Sequence, residues 1–278
     1  MTYDKDTWRK EKQEKGEWLC PELYRLVKKE REQSKEAWIK KQKDDGKWLP
    51  KEDYIKLKNE ERKRKREDED EEERKNPKIL RPHSDILDVD SIKVIKRELI
   101  FDTETTGLGR EHKIVEMSLI EVIDGKKTGR NYHCFFNPEM NIPQNAINVH
   151  KITNEKIKDA PLFKDKAEEI IKFIDNSVMV AHNANFDMDK LNKELYDAGW
   201  EKYNSDRFID TLKISRHLFP NDKHHKQDNL CEKFNIDNSK RLEDGHSAIE
   251  DTILLYHIYN EMIELLKKED LSPYDFRL

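Results

Sequence analysis

Apolar residues are scarce in this chain: 35% of 278 residues are hydrophobic and 41% are charged, which argues against one core running its whole length. At 33.4 kDa there is room for one ordinary domain plus an extension, or for two small domains. No apolar run approaches the roughly 20 residues that cross a bilayer, and Met1–Lys10 carries no apolar signal core. The three cysteines, Cys20, Cys134 and Cys231, lie too far apart for a disulfide framework or a CxxC zinc site. A soluble, intracellular, non-secreted protein is therefore expected. Excess positive charge is also missing. The formal net charge of −5 is not that of a cationic DNA coat.

What charge there is lies unevenly. Residues 1–90 hold 26 Lys+Arg and 25 Asp+Glu, whereas residues 91–278 hold the remaining 28 and 34. The second stretch has the composition of a folded domain and the first does not. The first does contain a repeat. Trp8, Gly16, Trp18, Leu19, Glu22 and Tyr24 recur 30 residues later as Trp38, Gly46, Trp48, Leu49, Glu52 and Tyr54. Each unit, about 8–30 and 38–60, reads as a short helix, a glycine turn and a second helix, with the aromatics as a miniature core. Such hairpins pack on each other or on a partner protein; stacking of exposed Trp on bases is the alternative. Residues 61–92 form a charged linker, basic at Arg62–Arg66 and acidic at Glu67–Glu73, broken by Pro77 and Pro82. The basic cluster also fits a nuclear localisation signal if the cell is eukaryotic.

The remaining chain, 93–266, reads as an α/β domain, with 267–278 as a tail. Strands are expected at Glu98–Glu104, Lys113–Ile123, Tyr132–Phe136, Val178–Ala181 and Arg207–Ile209, with a hairpin turn at Asp124-Gly125. Helices are expected after Pro143, and at Leu162–Ile174, Phe186–Ala198, Thr211–Leu218, Asp228–Phe234 and Ser247–Leu266. A meander of three strands followed by strands alternating with helices gives a mixed five-stranded sheet flanked by helices.

Three segments set acidic side chains at the ends of apolar elements. In Phe101-Asp102-Thr103-Glu104-Thr105-Thr106-Gly107-Leu108 the two-residue strand period puts Asp102 and Glu104 on one face, and Gly107 lets backbone approach a ligand closely. Val180–Asp187 runs from a buried strand into a helix with Asp187 beside the junction. His246 precedes Asp251, which opens the apolar helix of Ile253, Leu254, Leu255 and Ile258. Singly, each has a plain structural explanation: a strand end, a solvated helix face, a surface histidine. Together, four carboxylates suit two Mg²⁺ or Mn²⁺ ions, which prefer oxygen ligands, and a histidine beside them can take a proton from water.

Phe101–Gly107, His182-Asn183-Ala184-Asn185-Phe186-Asp187 and the His246/Asp251 pair resemble, in order, the three motifs of the DEDDh (DnaQ-like) exonucleases. The resemblance runs over roughly 97–262 and takes in His112–Glu121, Val149–Thr153, Asp210-Thr211 and Asn229–Arg241; it is greatest with the proofreading members of that family. It implies a ribonuclease H-like fold and release of nucleoside monophosphates from 3′ ends. It also implies that Asp102 bridges two divalent cations, Mg²⁺ or Mn²⁺. Glu104 and Asp251 would join it on the nucleophile side, Asp187 would hold the second ion, and His246 would be the general base. By the same resemblance Thr105, Thr106, Gly107 and Leu108 cradle the terminal nucleotide, with His182, Asn183 and Phe186 beside it. Two departures stand out. Lys151 replaces a usual glycine in His150-Lys151-Ile152-Thr153, which puts a tight turn in doubt. The stretch from Arg241 to His246 is longer than usual, which lengthens the loop carrying the base. The proofreading members carry, beyond a point matching Leu278, a tail that joins them to a polymerase, so the nuclease chemistry is expected more firmly than a polymerase partner, which is left open.

The leading expectation is a metal-dependent 3′→5′ exonuclease acting on single-stranded or frayed DNA, as in proofreading or repair. The same chemistry on RNA ends is the alternative. An inert adaptor working through the Trp repeat is a third, against which all five catalytic positions are intact.

Overall fold

In the computed structural model the chain divides at Pro77/Lys78. The described residues are Arg97–Leu278 without a break, Arg81, and scattered positions between 56 and 71. Those scattered positions are helical and exposed. The Trp/Gly repeat of residues 1–60, apart from Lys56, Asn59 and Glu60, and most of the 61–92 linker lie outside the described residues.

Five strands make one sheet: β1 (Arg97–Thr105), β2 (Ile114–Ile123), β3 (Lys126–Phe135), β4 (Val178–Ala181) and β5 (Phe208–Asp210), in the order β3-β2-β1-β4-β5. The first three form an antiparallel meander, while β4 and β5 add in parallel. Asp124 and Gly125, at φ 49° and 78°, join β2 to β3 in a two-residue turn whose positive φ values match strand twist.

The helices are α1 (Gln144–His150), α2 (Asn154–Ile157), α3 (Phe163–Ile174), α4 (Ala184–Asp197), α5 (Thr211–Leu218), α6 (Gln227–Phe234), α7 (Ser239–Asp244) and α8 (Ala248–Lys268). They cover both faces. Leu99, Phe101, Met117 and Leu119 pack with Ile170 and Ile174 of α3 and Leu191 and Leu195 of α4. Ile100, Ile120, Val180 and Ile209 pack on the other side with Leu255, Ile258, Tyr259 and Met262 of α8. Alternation along β1 therefore decides the chemistry: even-numbered side chains face α8 and odd-numbered ones face α4.

Two elements, one strand and one helix, run further than expected. β3 begins at Lys126, six residues before Tyr132, because its first half is an exposed edge whose Lys, Thr and Arg side chains carry no apolar alternation. The last helix runs on to Lys268, and the chain after it returns to the sheet, where Leu278 N donates to Phe208 O at 3.0 Å. Among the described residues, no helix is long and apolar enough to cross a membrane.

Candidate active site

The site lies where β1 ends, beside the starts of α4 and α8. Asp102 and Glu104 leave β1 toward α8, and Asp251 in the first turn of α8 meets them. Glu104, His246 and Asp251 each bring one ligand atom within 4.8 Å of the other two. Asp187, in the first turn of α4, comes from the opposite side. Thr103 holds it, donating to Oδ1 from its backbone N–H at 3.1 Å and from Oγ1 at 2.7 Å. Neighbouring residues of β1 thus carry two of the acids and fasten a third.

These carboxylates destabilise one another. Burial, then the charges of Asp251, Asp187 and Glu104, hold Asp102 well above the ordinary carboxylate range. Burial followed by Asp251 and Glu116 does the same to Glu104. Burial pushes Asp187 up to about 7, against the hydrogen bonds from Thr103. It pushes Asp251 up to about 6, against the pull of Arg241. Four acids, three of them buried and Asp102 half-buried, each resisting ionisation, are matched by hard divalent cations and poorly by any single side-chain cation. The residues present fit such ions.

Backbone geometry aims these groups. Glu116 of β2, paired in register with Glu104, accepts from Ala248 N at 3.0 Å and from Ser247 Oγ at 3.1 Å. It thereby caps α8 from inside the sheet, since α8 has no side-chain cap of its own. Asp210 does the same at the other helix junction. Its Oδ1 accepts from Asn183 N at 2.9 Å and Ala184 N at 3.3 Å, and from Leu212 N at 2.9 Å. The role of Glu116 has no signal within its own stretch of sequence, and Asp210 reads locally only as the N-cap of α5.

The segment that replaces a glycine with Lys151 still makes its turn. Lys151 closes α1 in the left-handed region at φ 58°, donating to Ile147 O at 2.8 Å. The extended stretch before His246 is not plain loop: it forms α7, ended by Gly245 at φ 90°. A Cβ on Gly245 would lie 2.8 Å from Val149 O, so only glycine lets this turn close on the end of α1. His246 N then donates to Val149 O at 3.1 Å.

His246 itself has a 40% exposed side chain, with Nδ1 3.7 Å from Asp251 Oδ2. Burial, then the Arg241 charge, lowers its pKa from the ordinary imidazole value.

The remaining expected residues divide. Leu108 is 79% exposed and half-buried Phe186 lies beside Asp187 in sequence. The side chains of Thr105 and Thr106 turn inward. Thr105 Oγ1 donates to Gly107 O at 2.9 Å; buried Thr106 pairs through Oγ1 with His112 Nδ1 at 3.0 Å. They shape the turn that presents Gly107. His182 pairs with Thr211 Oγ1 at 2.9 Å, and burial pushes its pKa down to about 4. Asn183 is exposed and opens α4 at φ 65°.

The RNase_T exonuclease family model matches residues 99–259, the whole of this construction. DNA polymerase III subunit epsilon of Rickettsia felis is 42% identical over 171 residues, covering 60% of this chain and 73% of that protein. The subunit of the same name from Buchnera aphidicola is 42% identical over 173 residues, covering 59% and 71%. Among solved structures, E. coli exonuclease I in complex with a dT13 oligonucleotide shares the fold at a TM-score of 0.55 and 15% identity, over 63% of this chain and 42% of that one. A 3′-exonuclease recognising a histone mRNA stem-loop does so at 0.52 and 16%, over 62% and 84%. The chain belongs to the RNase_T exonuclease family and is a 3′–5′ exonuclease.

Proposed function

We propose that this enzyme removes nucleoside monophosphates from the 3′ ends of single-stranded or frayed DNA, using two divalent cations, Mg²⁺ or Mn²⁺, held by Asp102, Glu104, Asp187 and Asp251. One observation carries the reading: Glu104, Asp251 and half-exposed His246 bring ligand atoms within 4.8 Å of one another, and the charges of Asp251 and Asp187 raise the pKa of Asp102 beside them. When bound, such ions supply charge neutralisation at the scissile phosphate and a more acidic attacking water.

The chain's own residues do the rest. Thr103 fixes the rotamer of Asp187 by two donated hydrogen bonds, so that carboxylate stays aimed without a ligand. Glu116 fixes the start of α8 and with it Asp251. His246, neutral at physiological pH, takes the proton of the attacking water on a ring nitrogen and releases it to solvent. Gly107 and Leu108 receive the terminal nucleotide, with backbone close approach at the first and apolar contact at the second. Asp102, Glu104, Asp187, His246 and Asp251 are the proposed catalytic set.

DNA is preferred over RNA as substrate because the relatives at about 40% identity are named as subunits of a DNA polymerase. The fold neighbours do not choose, since one is bound to dT13 and another recognises an mRNA stem-loop. Matched DNA and RNA oligonucleotides labelled at the 5′ end, with Mg²⁺, Mn²⁺ or EDTA, test the reading. A ladder shortening from the 3′ end of DNA, abolished by EDTA, is expected. Faster loss of the RNA strand makes the enzyme an exoribonuclease instead, and cleavage that survives EDTA removes the metal assignment.

A further inference from the structure

Arg241 of α7 enters the carboxylate cluster. Its side chain is 8% exposed, with Nε 2.6 Å from Asp251 Oδ1 and Nη2 3.2 Å from Asp251 Oδ2. Nη2 also lies 3.1 Å from His246 Nδ1, and Nη1 pairs with Asp228 in the first turn of α6. One guanidinium thus contacts a proposed metal ligand, the proposed base, and an acid outside the proposed catalytic set.

The chemistry of the donor makes this contact informative. A guanidinium has no acceptor, so His246 Nδ1 must offer its lone pair to Arg241. A neutral imidazole has only one such lone pair, and the proton then sits on Nε2. Held this way, His246 has nothing left with which to accept a proton from water. Asp251 meets the same guanidinium at both oxygens, accepting a hydrogen bond at Oδ2 and making an ion pair without one at Oδ1. The same contacts that soften the repulsion among the acids disable the base.

The geometry points to Arg241 as a built-in counter-ion of the carboxylate cluster: it competes with a divalent cation for Asp251, and a cation that takes Asp251 also frees His246. This rests on the metal-binding reading above. The surroundings allow the exchange. α7 is a six-residue helix between Asn238 and the Gly245 turn, and Asp228, with 39% side-chain exposure, offers the displaced cation a second anion outside the cluster.

The test compares wild type with Arg241→Met, which keeps the stem and removes the charge, in the full chain. Calorimetric titration with Mn²⁺ should show the variant binding about tenfold more tightly, equal to about 1.4 kcal/mol. Unchanged or weaker binding overturns the inference, because Arg241 would then be positioning Asp251 for the ion. A second measurement needs no variant. The ¹⁵N shifts of His246 should report an Nε2–H ring hydrogen-bonded at Nδ1 in EDTA, and loss of that bond on saturation with Mg²⁺. A bond that persists at saturation also overturns it. If wild type binds no cation at all, both this inference and the metal reading fail; binding without release fails this one alone.

Discussion

Glu116 accepts a hydrogen bond from the backbone of Ala248, 132 residues further along the chain, at 3.0 Å. This contact fixes the N-terminus of the helix that carries Asp251 to the central meander, and Ser247 in the same grip adjoins His246. Glu116→Ala leaves the buried Ala248 N–H and the half-buried Ser247 hydroxyl without this acceptor, a loss of about 1–3 kcal/mol. A lowered Tm is expected, together with a fall in kcat, since displacement of a catalytic group by about 1 Å costs on the order of a hundredfold. Glu116→Gln keeps an acceptor and should retain most of both. Equal damage from the two variants contradicts the capping role.

Acid should stabilise the metal-free protein. Asp187 and Asp251 have folded-state pKa values of about 7 and about 6, above the ordinary 3.8. Between these limits the folded chain binds more protons than the unfolded one, so their contribution is present at low pH and lost as pH rises toward 7. In EDTA, Asp187→Asn should remove part of the decline in Tm between pH 5 and pH 7.5 seen in wild type. Saturating Mg²⁺ should flatten the wild-type profile, because an ion that binds only the folded state stabilises it most where the acids are ionised. An identical pH slope in wild type and Asp187→Asn counts against the shift.

Gly107 approaches His112 too closely for any side chain. A Cβ there would lie 2.7 Å from the imidazole, and moving that ring breaks its pairing with Thr106. Gly107→Ala should raise KM for oligonucleotides several-fold while leaving cation affinity intact. Loss of cation binding in this variant places the turn's role in the fold and not at the nucleotide.

Removal of the base should act on turnover. His246→Ala is expected to lower kcat by about a hundred- to ten-thousandfold with KM little changed. A saturated rate equal to wild type rejects the assignment.

Much of the site was legible because strand and helix periodicity are local properties. The two-residue period alone set Asp102 and Glu104 on one face, and the face proved to be that of α8. Convergence of Asp187 and Asp251 on the same space was not a matter of spacing; it rested on a resemblance in motif order. What escaped detection depends on distant contacts or on charged surface. Thr103 and Glu116 act through partners 84 and 132 residues away, and their own neighbourhoods read as ordinary strand; Asp210 reads as a helix N-cap, which gives no sign of its grip on Ala184, 26 residues back. α7 (SKRLED) has no apolar face to betray a helix, so Arg241 stood in an apparent loop. The exposed half of β3 failed for the same reason.

The central claim is that Asp102, Glu104, Asp187 and Asp251 share bound cations. Calorimetric titration of Mn²⁺ into wild type and into Asp102→Asn examines it most directly. Saturable binding of about two ions per chain is predicted for wild type, with at least one of them lost in the variant. Matching isotherms for the two proteins would contradict the account.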